Sequence, residues 1–220
     1  MAKRKAYSGN YCESEYEAAF IRSLEAEGWL YTSGTTIKRE SKRDVLIAED
    51  FKQFIADTNP QFTDDEVTSL YDQVRLVGAE SDFATLHKVY NWMAYGVQFT
   101  PQDGLARMVA LIDYEAPGNN IFRVVNQFTV EYTNNGQKEN RRPDVLLYVN
   151  GLPVCVIELK NPADARATVY DAWEQINRRY WRDIPHLLHY CPLACISDGA
   201  SRPDLAQFVR RMSIFMRGVA

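Results

Sequence analysis

At 220 residues, with 46% hydrophobic and 12% aromatic side chains, the chain is long enough to bury one large core, and its four scattered cysteines (Cys12, Cys155, Cys191, Cys195) exclude the dense disulfide framework of a small secreted domain. No run of about 18 apolar residues occurs and the opening "MAKRKAYSGNYCESE" has no apolar middle, so a cytoplasmic chain with free thiols, no signal peptide and no membrane partner is expected. A net charge of −4 excludes a general polyanion-coating surface and makes any nucleic-acid contact local.

In chain order, "SEYEAAFIRSLEAEGW" places Ser14 three residues before Glu17, a capping-box spacing, followed by Phe20, Ile21 and Leu24 at helical intervals and by Gly28. The spacing predicts a helix over about 15–27. Three further helices are expected in "DVLIAEDFKQFIADTNP", "TDDEVTSLYDQVRLVG" (with a second capping box, Thr63 and Glu66) and "SDFATLHKVYNWMAYG". From Arg107 the periodicity shortens. "RMVALIDY", "FRVVNQFTVEY", "PDVLLYVNG" and "LPVCVIELK" read as strands separated by "PGNN", "NNGQKENRR" and "NG". "ATVYDAWEQINRRYWRDI" returns to helical spacing, "LACISDG" reads as a buried strand, and "PDLAQFVRRMSIFM" closes the chain. The fold class is therefore α/β, a mixed sheet with helices on its faces. Its expected organisation is a first helix and strand (1–43), a helical insertion (44–96) and a sheet-based core (97–220).

The strand pair 143–160 carries three charges that a plain core hairpin would not use. Glu158 and Lys160 are two apart and so project from one face of the sheet. A hairpin turned at Asn150-Gly151 brings Asp144 toward Glu158. Two adjacent carboxylates repel unless a cation sits between them, and an all-oxygen pair suits Mg²⁺, which would lower the pKa of a bound water and polarise a phosphoryl oxygen. The plainer alternative is a salt bridge from Lys160 to Asp144 or Glu158. Basic residues cluster at Lys3-Arg4-Lys5, at Lys138, Arg141 and Arg142, and at Arg178, Arg179 and Arg182. They read either as solvated faces or as phosphate contacts.

"NQFTV", "RRPDVLLYVNGLPVCVIELKNP" and "IPHLLHYCPLACISDG" together resemble the N-terminal nuclease region of the R subunit of type I restriction-modification enzymes, most closely between about Leu111 and Gly199. Pro143-Asp144 and Glu158-x-Lys160 match the PD-(D/E)xK nuclease motif. The resemblance implies a restriction-endonuclease-like core and Mg²⁺-dependent cleavage of double-stranded DNA, Mn²⁺ being a plausible substitute. Asp144 and Glu158 would be the metal ligands, with Asp144, Glu158 and Lys160 as the catalytic centre. Arg141, Arg142, Arg178, Arg179 and Arg182 would contact DNA. It also implies an ATP-driven motor elsewhere on the polypeptide, since no Gly-x4-Gly-Lys-Ser/Thr loop occurs here, together with modification (M) and specificity (S) subunits as partners. On this reading the chain is an N-terminal fragment. Glu17 fits the family's acidic position on the first helix, its alternative being the capping box.

Gln175 fits the family's glutamine-and-tyrosine motif, but Tyr180 falls one residue late. At about 100° per residue, Gln175 and Arg179 share one face of an α-helix while Tyr180 is rotated off it. The expectation is that Tyr180 packs with Val169, Trp173 and Ile176, and that Arg179 stands where the family has tyrosine.

Two other constellations compete. His186, His189, Cys191 and Cys195 offer zinc-ligating atoms within ten positions, and His189 with Ser197 and Asp198 suggests a hydrolytic triad, although no nucleophile elbow accompanies it. A non-catalytic alternative is a DNA-clamping or subunit-docking module that keeps the same fold.

Overall fold

The computed structural model describes residues 13–78, 81–159 and 169–197. A five-stranded mixed sheet runs in the order β1 (Leu30–Ser33), β4 (Phe122–Asn126), β7 (Val145–Val149), β8 (Leu152–Leu159), β9 (Leu193–Ser197). The two outer pairs are parallel and the two inner pairs antiparallel. The middle strands are covered on both faces, which is why they read as nearly continuous apolar runs. Neighbours along a strand go to opposite sides. Val124, Val145 and Ile157 face α1 (Glu13–Ala26) through Phe20, Ile21 and Leu24. Val125, Leu146 and Val156 face the other layer.

That second layer contains α2 (Ala48–Thr58), α3 (Asp64–Arg75) and α4 (Asp82–Tyr95). Phe51, Phe54, Leu70, Val89 and Met93 share one continuous core with the sheet and with Ile176, Tyr180, Leu187 and Leu188. Asp50, near the start of α2, accepts two hydrogen bonds of 2.6 and 2.7 Å from the Arg123 guanidinium on β4, a bidentate tie between the layers. The Thr63–Glu66 capping box forms as expected. The other does not. Ser14 already lies inside α1, so it cannot cap it, and Glu17 points elsewhere.

The Asn150-Gly151 turn forms with φ of 51° and 75°, the left-handed pair that a tight hairpin demands. The fully buried Asn150 amide donates to Leu111 O and accepts from Ile121 N, so the turn is also bonded to the core.

Three strand expectations need correction. "RMVALIDY" supplies only β3 (Arg107–Val109), paired with β2 (Val97–Phe99) in a separate two-stranded sheet. Further on, the end of the run is turned instead, the Asp113 carboxylate accepting the backbone amides of Glu115 and Ala116. "FRVVNQFTVEY" is not one strand but two, broken at Gln127, whose φ is 56°. The supposed linker "NNGQKENRR" contains β6 (Gln137–Arg141), which pairs with β5 (Val130–Asn134) across Asn135-Gly136.

No helix among the described residues is long and apolar enough to cross a membrane. Cys155, Cys191 and Cys195 are free thiols. Cys12, Lys3-Arg4-Lys5 and the closing segment "PDLAQFVRRMSIFM" lie outside the described residues.

Candidate functional site

The register Val145↔Ile157, continued by one residue, sets Asp144 opposite Glu158 at one end of the sheet. Paired residues of an antiparallel ladder share a face, so this register puts the two carboxylates on one face of the sheet. Asp144 is oriented by the ladder itself, since its Oδ2 accepts the backbone N–H of Leu159 at 2.8 Å. Glu158 is fully buried. Leaving a carboxylate that deep without donors would cost several kcal/mol, and two donors meet it: Tyr180 OH lies 2.7 Å from Oε1 and Gln175 Nε2 lies 2.6 Å from Oε2. Gln175 Nε2 is also 2.8 Å from Tyr180 OH, closing a three-residue network.

The expectation that Tyr180 packs in the core with Ile176 holds, but the expectation that Arg179 stands in the tyrosine's place is overturned. The helix that begins as α5 (Val169–Glu174) widens into a π-helical segment, Gln175–Tyr180, before α6 (Trp181–Asp183). A π-turn closes on i→i+5 hydrogen bonds, so residues five apart come onto one side and the extra residue is absorbed. Tyr180 both packs in the core beside Ile176 and delivers its hydroxyl to Glu158. Arg179 is exposed and pairs with no acid among the described residues. Burial, then the neighbouring Glu158 charge, pushes the Tyr180 phenol well above its ordinary pKa, so it remains a donor at any physiological pH.

Glu17 stands at the same end of the sheet but on the α1 side. Its carboxylate accepts from Asn126 and Gln127, which follow each other at the end of β4. Among the described residues no three His, Cys, Asp or Glu side chains converge as a metal-holding group. The donor set still fits a hard cation: two carboxylates, all oxygen, as Mg²⁺ takes when it keeps most of its waters. Lys160 lies outside the described residues.

The basic residues are unequally available. Arg141 is committed to Asp183 through Nε at 2.8 Å and Nη2 at 2.6 Å and lies over the Tyr132 ring. Arg182 shares the same aspartate, and Arg178 pairs with Glu174 at 3.1 Å. Arg142 and Arg179 are exposed.

The competing constellations are not assembled. His189 Nε2 is bonded to Asp82 at 2.8 Å, Cys195 Sγ sits 3.1 Å from Cys155 Sγ, and Cys191 is buried with its thiol pushed up by desolvation. Burial, with Arg43 nearby, lowers His186 to about 4, which keeps the ring neutral. Ser197 is bonded to Tyr16 rather than to His189, and Asp198 lies outside the described residues. The contribution of Tyr180 was missed in the sequence because an α-helical period was imposed on six residues that do not keep it.

The family model described as type I restriction enzyme R protein N terminus matches residues 10–202. Over 193 residues the chain is 33% identical to the "Putative type I restriction enzyme MjaIXP endonuclease subunit" of Methanocaldococcus jannaschii, covering 83% of this chain and 18% of that one. It is 31% identical over 201 residues to the "Type I restriction enzyme HindI endonuclease subunit" of Haemophilus influenzae, covering 85% and 18%. The chain thus spans less than a fifth of the length of these relatives.

Proposed function

Because this chain belongs to the family of type I restriction enzyme R protein N termini, we propose that it is the endonuclease module of such an enzyme, a restriction-endonuclease-like core that hydrolyses phosphodiester bonds in double-stranded DNA with Mg²⁺ held by Asp144 and Glu158. The observation that carries this reading is the Asp144–Glu158 pair at the strand ends, with Glu158 buried and held on both oxygens by Tyr180 and Gln175. A bound Mg²⁺ supplies an acidified water and a polarised phosphoryl oxygen. The chain's own residues do the rest. The Leu159 amide and the Tyr180–Gln175 pair fix the two carboxylates in direction, and preorganised groups of this kind need no rearrangement as charge develops. Lys160, two residues beyond Glu158, is proposed to offset charge on the attacked phosphate. ATP-driven translocation, and the M and S subunits that would modify and recognise DNA, belong to the rest of the assembly.

For DNA contact, Arg142 and Arg179 are the better candidates of the five arginines, since Arg141, Arg178 and Arg182 already have carboxylate partners. Duplex binding by this chain is expected to be weak, indifferent to sequence and steeply salt-dependent, with Arg179→Ala lowering the slope of log K against log salt by about 1. Fluorescence anisotropy on two unrelated duplexes over a salt series checks this. Tight, salt-insensitive binding to one duplex would mean that the module reads bases itself.

A further inference from the structure

Adjacent residues of an extended strand project to opposite faces, yet Asn126 and Gln127 reach the same carboxylate. Asn126 Nδ2 donates to Glu17 Oε1 at 2.5 Å, and Gln127 Nε2 donates to Oε2 at 3.3 Å. What permits this is the backbone at Gln127, whose φ of 56° lies in the left-handed region that few residues other than glycine enter. Strain of this kind persists where the surroundings over-determine it, and here they do. The Gly34 amide donates to Asn126 O at 2.7 Å, and a Cβ on Gly34 would stand 2.5 Å from Phe128 Cα, so the turn after β1 is seated directly on the corner. Tyr31 sets the amide: its hydroxyl donates to Asn126 Oδ1 at 3.0 Å, which leaves Nδ2 to face Glu17.

Docking of α1 does not account for the corner, since Phe20, Ile21 and Leu24 already bury the helix against the sheet. Both donors are neutral, so they direct the carboxylate without cancelling its charge, as an arginine or lysine would. The corner also lies next to the catalytic end: Asn126 pairs with Val145, the residue after Asp144. We infer that Asn126 and Gln127, keyed by Tyr31, are positioning residues that hold Glu17 as a directed acceptor for water bound at the nuclease end of the sheet. The inference rests on the nuclease reading, because a cation that keeps its waters needs outer acceptors of this kind.

The test is calorimetric titration of Mn²⁺ into the 220-residue chain, with thermal melts of each variant. Gln127→Gly removes the donor while suiting the left-handed backbone, so it should melt no lower than wild type yet bind Mn²⁺ on the order of 10-fold more weakly. Glu17→Gln should lose a similar factor, and the double variant should fall no further than Glu17→Gln alone, because Gln127 acts through Glu17. Wild-type affinity in Gln127→Gly, or a loss that adds in full to that of Glu17→Gln, would overturn the inference while leaving the nuclease reading intact. A folded wild-type chain that binds no Mn²⁺, or binds it equally well as Asp144→Ala, would remove both.

Discussion

Alanine at Asp144, at Glu158 or at Lys160 is expected to abolish DNA cleavage by the full-length enzyme. Each of the first two would remove an oxygen ligand, and the charge stabilisation that a bound cation supplies is worth several kcal/mol. At about 1.36 kcal/mol per factor of ten, the loss is on the order of 10³-fold or more. Groups that act as a unit fail as a unit, so each single variant should be nearly as inactive as the triple. Asp144→Ala should leave the fold intact, because Asp144 is half-buried at the end of a β7–β8 pair whose ladder and apolar cover do not depend on its side chain. Rates are read from linearisation of plasmid DNA alongside ATP hydrolysis, which should be unchanged. Cleavage near the wild-type rate by any of the three would refute the assigned centre and favour a clamping or docking role for the module.

Tyr180 is the second site of large effect, and two substitutions there should behave differently. Tyr180→Ala empties a buried aromatic position and should destabilise by about 3–5 kcal/mol. Tyr180→Phe keeps the ring and deletes the hydroxyl that donates to Glu158 and accepts from Gln175; the bond to the charged group alone is worth roughly 1.5–3 kcal/mol, and the variant should reduce cleavage while the protein remains folded at 25 °C. Gln175→Ala removes the other donor and should resemble Tyr180→Phe. The measurements are denaturant melts and cleavage rates on the same preparations. A Tyr180→Phe protein that cuts at the wild-type rate would reduce Tyr180 to a packing residue.

How much of this was legible in the sequence follows from which signals are local. The Asn150-Gly151 turn and the flanking apolar runs are local, and they sufficed to pair β7 with β8 in the register Val145↔Ile157. The Thr63–Glu66 box is local too and formed. Ser14–Glu17 has the same spacing but lies inside a helix, and Glu17 is drawn instead to amides more than a hundred residues away. Hairpin β5–β6 escaped notice because "QKENR" shows no apolar alternation, although Asn135-Gly136 was a signal that could have found it. Gln127 and the π-helical segment have a feature in common: in both, a backbone that the local period does not predict carries side chains bonded to a distant carboxylate. Both departures from regular structure lie at the candidate site, where such conflicts between local preference and final geometry are expected.

The proposal depends most on a cation between the two strand-end carboxylates, and the most direct measurement is anomalous difference density from Mn²⁺-soaked crystals. The expected result is a peak between Asp144 and Glu158 that is absent from crystals of Asp144→Ala. A map without a peak at those carboxylates, or with metal bound instead among His186, His189 and Cys191, would contradict a metal-dependent nuclease centre at the ends of β7 and β8.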